Sequence, residues 1–159
     1  MYSKGLIALT LSCATIAGSA FATVKLKKKV TMKLVTAYTR TVPEELQTNP
    51  PAAGTFIVVR WTNAKGPETM FWRGEGGWLN CNMERARKTV KAGKIEYASA
   101  GEVMPDQIKQ GDTLLITPVT GGRFPIPEEI PAKAKNTLFY KTPGNAKWQS
   151  FVVSPIAKK

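Results

Sequence analysis

The chain of 159 residues contains no histidine. Histidine is the commonest general base and a frequent zinc ligand, so Ser-His-Asp and Cys-His catalysis and histidine zinc sites are excluded. A hydrolase would have to rely on paired carboxylates. Three pairs occur beside proline or glycine in predicted loops and turns, where solvation and capping of a helix start explain them: Glu44 with Glu45, Glu128 with Glu129, and Asp106 with Asp112. We therefore predict a protein that is not an enzyme and uses no cofactor.

Long apolar runs are also missing. Met1–Lys4 is a short positive segment, Gly5–Ile16 is apolar, and Ala20-Phe21-Ala22 fits the small-x-small pattern of a signal-peptidase site. The apolar segment falls short of the ~20 residues that span a bilayer. We predict that residues 1–22 are a cleaved signal peptide and residues 23–159 a single β-rich domain. The mature protein would be periplasmic or secreted and would have no transmembrane segment.

Cysteine is scarce, with two residues in the chain. Cys13 lies inside the predicted signal peptide, and it would be the acylated residue if the signal were of the lipoprotein type. That alternative is disfavoured because no leucine stands three residues before Cys13. Cleavage after Ala22 leaves Cys81 alone, so the mature domain has no internal disulfide. Its 137 residues are enough for a core that is stabilised by packing.

Acidic residues number 11 against 23 basic ones, which gives a net charge of +12. Loss of Lys4 with the signal peptide lowers this to +11. An ordinary solubilising surface mixes both signs, whereas a field of one sign attracts anions. We predict an anionic envelope component or acidic protein as partner, and a role as an accessory subunit of an envelope or secretion assembly. A solvated surface is the alternative. The candidate residues form two clusters: Lys25, Lys27, Lys29 and Lys33 (with Lys28), and Arg85, Arg87, Lys88 and Lys91 (with Lys94).

Nucleic acid is not favoured as the partner, because the aromatic residues lie in predicted core strands and are not interleaved with the basic clusters.

The stretch Thr55–Met83 contains three of the four tryptophans and is predicted to be the centre of the fold. Thr55–Thr62 has apolar residues on both faces, which indicates a strand buried on both sides. Gly66-Pro67 predicts a turn, after which Thr69–Arg73 returns and Trp78–Cys81 follows. This is the pattern of a β-meander whose aromatic residues form much of the core.

Further strands are predicted before and after this centre. Thr23–Val42 alternates, with Met32, Leu34 and Tyr38 on an apolar face and lysines on the other. Short helices are predicted at Met83–Ala92, capped by Asn82 and stopped by Gly93, and at Pro105–Gln110. The predicted fold class is mainly β, a single antiparallel β-sandwich or partly open β-barrel with one or two short helices. The other predicted strands are Lys94–Ala100, Thr113–Val119, Asn136–Lys141 and Ala146–Ser154.

Cys81 has three interpretations. As a small apolar side chain it is a packing residue, which its residue type favours. At the start of a predicted helix near Arg85 it would be a reactive thiol. Together with Met83 and Met70, near Trp72 and Trp78, it would offer soft ligands to Cu(I), so a copper-handling protein is an alternative function. A second alternative is an inhibitor of a secreted enzyme that uses the loop Gly121–Pro131.

Overall fold

A computed structural model describes residues 31–41, 54–75, 77–119, 125–130 and 135–159. The predicted signal peptide, residues 23–30 of the predicted first strand, and residues 120–124 and 131–134 around the proline-rich loop lie outside these ranges, as do Glu44 and Glu45. The described strands are β1 (Met32–Arg40), β2 (Gly54–Trp61), β3 (Thr69–Gly74), β4 (Gly77–Lys91), β5 (Lys94–Glu102), β6 (Thr113–Val119), β7 (Thr137–Lys141), β8 (Gln149–Val152) and β9 (Ala157–Lys158).

All nine of these strands belong to one sheet. Its order is β8-β7-β3-β4-β6-β2-β1-β9, with β5 paired to β4 outside this series. Every pairing is antiparallel except that of β1 with β9, so the sheet is mixed. The prediction of a mainly β fold is confirmed, whereas the antiparallel sandwich and the short helices are not.

The connection between β8 and β9 shows why the sheet curls. β8 and β9 lie at opposite ends of the strand order, yet only residues 153–156 separate them in the chain. Five Cα steps reach at most ~18 Å. Eight strands laid flat would extend over about 34 Å. The sheet therefore curls into a half-barrel, and Val153, which is fully buried, packs inside it.

The main core fills the concave side of the half-barrel. Trp61 is its largest fully buried side chain. The indole Nε1 of Trp61 donates a hydrogen bond to the Lys65 carbonyl at 2.9 Å, and its ring meets Tyr140 edge-on with centroids 5.7 Å apart. Burial raises the pKa of Tyr140 to about 12, and the Tyr140 hydroxyl is hydrogen-bonded to Thr31 Oγ1. Five further strands contribute side chains to this core: Met32, Met70, Trp72, Met83, Leu114, Ile116 and Leu138.

β1 departs from the predicted alternation at one point. Met32 and Leu34 pack against the main core as predicted, but a register shift between Leu34 and Thr36 inserts Val35 as an extra residue. Such a bulge moves every later side chain to the other face. Tyr38 consequently lies on the convex face, and the prediction that it shares a face with Leu34 was wrong.

β2 is buried on both faces, as predicted. Ile57, Val59 and Trp61 pack into the main core, while Phe56 and Val58 pack on the convex side. The predicted meander is confirmed for β3 and β4, which pair with each other, but wrong for β2, which pairs with β1 and β6 and not with β3. Local periodicity identifies a strand but not its neighbour.

The link from β2 to β3 crosses over the structure instead of making a tight exposed turn. Gly66 is buried against the chain at Pro105 and Ile108, and a Cβ built at Gly66 would lie 2.1 Å from the Pro105 carbonyl oxygen. The glycine is therefore required by a close approach of two backbone segments.

The predicted helix Met83–Ala92 was also wrong. These residues continue β4, which pairs with β5 through a two-residue turn at Ala92 and Gly93, both with positive φ (47° and 74°). Two positive φ values define the hairpin turn that matches strand twist. Gly93 therefore closes a hairpin and does not stop a helix. Of the second predicted helix, Pro105–Gln107 forms one 3-10 turn. No described helix has the length and apolarity to cross a membrane.

Two smaller clusters cover the convex side. The β4–β5 hairpin folds back so that Ala86 and Tyr97 pack on Tyr38 and Phe56. At the other end, Ile126 and Ile130 of the proline-rich segment cover Phe71. The hairpin is thus a strap across β1, β2 and β6, and it positions the candidate site.

Candidate functional site

The site is built on the outer part of the β4–β5 hairpin, residues 86–99, which we call the basic arm. Up to Arg85, β4 pairs with β6; beyond it, within the described residues, β4 pairs with β5 alone. The arm is therefore a two-stranded ribbon attached to the sheet at one end.

Four basic side chains lie on the basic arm and all are exposed: Arg87, Lys88, Lys91 and Lys94. No acidic residue occurs in the chain between Glu84 and Glu96. Glu96 is the one acid among residues 86–99, so the arm has an excess of positive charge and attracts anions at short range.

The structure changes how the predicted second cluster is arranged. A helix would have put its basic residues on one solvent face, whereas a strand alternates them. Lys88 pairs with Tyr97, which packs on the convex face, so Arg87 lies on the opposite side of the ribbon. Arg85 is set apart at the base of the arm, where its guanidinium donates a hydrogen bond to the Gln107 carbonyl at 2.9 Å and lies 3.8 Å from the Asp112 carboxylate.

Lys33 is the only residue of the predicted first cluster that the structure describes. It is exposed on β1, two residues from the bulged Val35. Lys25, Lys27, Lys28 and Lys29 lie outside the described residues. The first cluster as a whole therefore stays a prediction.

A cleft of about 420 Å³ lies between the arm and the convex face. On its inner wall the rings of Tyr38 and Phe56 stack with centroids 5.2 Å apart. Lys159 Nζ sits 4.1 Å from the Tyr38 ring centroid, and the Arg40 guanidinium sits 5.1 Å from that of Phe56. Burial raises the pKa of the Tyr38 hydroxyl, an effect that Arg40 opposes and Glu96 reinforces. The charged residues lining the cleft are Arg40, Lys91, Lys159, Glu84 and Glu96.

Sequence analysis did not identify this cleft. Its walls come from β1, β2, β4, β5, β6 and the C-terminal end, which only the tertiary fold brings together. Glu84 and Glu96 both line the cleft, but they pair across the hairpin with Glu102 and Thr89 respectively and so lie well apart along the ribbon. Three cations against two acids leave the cleft net positive, which favours an anionic ligand over the chemistry of paired carboxylates.

The sulfur-containing candidates all pack against the main core. Cys81 and Met83, two residues apart on β4, both face the main core, and Met70 is buried on β3. Trp72 belongs to the same core, but Trp78 packs on the convex side. Among the described residues there is no group of three or more cysteine, aspartate and glutamate side chains that could hold a metal ion. The Cu(I) site remains a prediction based on soft ligands alone.

The interpretation of Cys81 as a reactive thiol loses its basis. It required a helix start beside Arg85, whereas Cys81 lies within β4 opposite Pro118. The residue as a whole is partly exposed, but the sulfur atom faces the core, and burial raises the pKa of the thiol.

The loop suggested for enzyme inhibition is described at residues 125–130. Ile130 is buried there and anchors the segment on Phe71 and Phe139. Glu128 and Glu129 are exposed, and Asp112 accepts a hydrogen bond from the Lys109 amide at 3.0 Å, as expected for a turn.

Comparisons with protein-family models, curated proteins and solved structures found no match to this chain.

Proposed function

We propose that the protein is an exported, non-catalytic binding protein whose basic arm attaches it to an anionic partner at the cell envelope. The observation that supports this most directly is the arm itself, where four exposed basic side chains lie on one ribbon without an acid between Glu84 and Glu96. An accessory subunit of an envelope or secretion assembly would use such a surface for attachment.

The energetic balance on the arm also favours a partner. Residues 86–95 lie on a ribbon with one neighbouring strand, so their charges do little for the core. Like charges placed close together destabilise the ribbon that contains them. Lys91 and Lys94 are direct cross-strand partners, which is an arrangement of this kind. An anion bound between them would remove the repulsion.

Removal of charge from the arm is expected to weaken attachment about tenfold, because three exposed contacts at about 0.5 kcal/mol each amount to about 1.5 kcal/mol. The variant is Lys88→Gln, Lys91→Gln and Lys94→Gln in one chain. Its matched control removes the same charge from exposed loop lysines away from the arm, as Lys65→Gln, Lys109→Gln and Lys147→Gln.

Envelope extract would be passed over each immobilised protein and eluted with a salt gradient. The arm variant should release its partner at distinctly lower salt than the control variant and the unmodified protein. Equal elution of all three proteins, with equal melting temperatures, would contradict a role for the arm.

Export is a separate part of the proposal. It is based on the positive start, apolar segment and Ala20-Phe21-Ala22 pattern. The intact mass of protein recovered from the exported fraction should correspond to a chain that begins at Thr23. A mass that shows an acylated Cys13 would contradict both the cleavage site and the soluble form.

A further inference from the structure

The tip of the basic arm exposes aliphatic side chains as well as charges. Val90 is 67% exposed and Ile95 is 55% exposed, and the two are direct cross-strand partners next to the turn. Val35, exposed by the bulge in β1, lines the same small cleft as Ile95. The three side chains form one surface, which we call the aliphatic tip.

Basic residues lie close to the aliphatic tip on both faces of the ribbon. Lys88 precedes Val90 by two residues on the same face of the strand, and Lys33 lies near Val35 on β1. Lys91 and Lys94 flank the turn on the opposite face. Scattered exposed aliphatic residues are ordinary on protein surfaces. Here, however, they are contiguous, lie at the end of a hairpin, and have more basic than acidic neighbours, with Glu96 as the acid beside Ile95.

We propose that this surface docks on an anionic phospholipid membrane, with the aliphatic tip in the interface and the surrounding basic residues at the lipid phosphates. The inference rests on the proposed function and names the anionic partner. An anionic bilayer offers negative charge directly above hydrocarbon, so it accepts both kinds of side chain at once. Lysine stems add to this because they lie along apolar surface while the ammonium group stays in water.

A folded acidic protein fits the same surface less well. Binding energy at protein interfaces is concentrated in tryptophan, tyrosine and arginine anchors. The aliphatic tip has only valine and isoleucine, and the aromatic residues of the adjoining cleft, Tyr38 and Tyr97, pack in the convex cluster. A membrane requires no shaped pocket for an anchor.

The test measures co-sedimentation of the purified protein with vesicles of phosphatidylcholine, with and without phosphatidylglycerol, and its binding to soluble polyphosphate. The variant Val90→Ser with Ile95→Ser should bind anionic vesicles about tenfold more weakly, since two aliphatic side chains no longer leave water. Its binding to polyphosphate should change less than about twofold. The matched control, Met104→Ser with Val152→Ser, alters side chains of similar exposure (57% and 65%) elsewhere and should bind vesicles normally.

A gain-of-function variant keeps the test decisive if the serine variant folds poorly. Ile95→Trp should bind anionic vesicles more tightly, because tryptophan favours the membrane interface, and its added emission should shift to the blue when vesicles are present. Absence of both effects would overturn the inference.

The controls separate this inference from the function on which it rests. Salt-sensitive binding to polyphosphate or to an acidic protein, without binding to anionic vesicles, would overturn membrane docking and leave the anionic partner in place. Equal loss of vesicle and polyphosphate binding in the serine variant would also overturn it. Binding to none of these partners would contradict both proposals.

Discussion

Replacement of Trp61 by alanine is expected to lower the free energy of unfolding by about 3–5 kcal/mol, the usual cost of removing a large aromatic side chain from a core. Trp61 is fully buried at the end of β2 and contacts Tyr140 edge-on. Its indole also satisfies the Lys65 carbonyl, which would lose its partner. Urea unfolding, followed by far-ultraviolet circular dichroism because the substitution changes the fluorescence, measures the loss.

Trp148 provides the comparison within the same protein. It is partly buried against Phe71 on the convex side, and its buried Nε1 has no hydrogen-bond partner among the described residues. Trp148→Ala should therefore cost only about 1–2 kcal/mol, from lost apolar burial. A loss at Trp61 no larger than that at Trp148 would contradict the position of the main core.

The Cys81 thiol should react with a thiol reagent about 100-fold more slowly in the native protein than in urea at the same pH, because the thiolate is the reacting form. Burial raises the pKa of this thiol, and the sulfur atom faces the main core beside Met83. Reaction is followed by absorbance of the released chromophore, with the denatured chain as the internal reference.

Two results would favour the alternatives. Rapid labelling of the native protein would show an accessible, activated thiol. Tight binding of Cu(I) that is lost in Cys81→Ser, but kept in a serine variant at a distant surface site such as Val152→Ser, would favour the copper-handling function. Met83 and Met70 would then be the next residues to substitute, since both belong to the same core region as Cys81.

The sequence predicts the mainly β fold and several strands because periodicity is a local property. β2 is identified by apolar residues on both faces, and the hairpin of β7 and β8 by Pro143-Gly144-Asn145 between two apolar segments. The partners of β2 are the preceding strand β1 and the distant strand β6, so the predicted pairing of β2 with β3 was wrong. The bulge at Val35 was missed because a single inserted residue leaves no compositional mark.

The candidate site was predicted in part. The basic residues of the second cluster were identified by charge alone, but their placement on a helix was wrong, because helical propensity was overruled by pairing of β4 with β5. Ala92-Gly93 is a weak turn signal compared with Asn-Gly, so the hairpin was not recognised. Val90 and Ile95 are exposed because they lie in that hairpin, so their exposure could not be predicted without recognising it.

The salt dependence of binding to a defined polyanion tests the central claim, attachment through the basic arm, most directly. Dissociation constants for immobilised polyphosphate would be measured over a range of salt for the unmodified protein, the Lys88, Lys91 and Lys94 variant, and the Lys65, Lys109 and Lys147 control. Exposed charges are screened beyond ~8 Å at physiological ionic strength, so affinity should fall steeply with salt. We predict that affinity depends clearly less on salt in the arm variant, and in that variant alone. The same slope for all three proteins would contradict the claim.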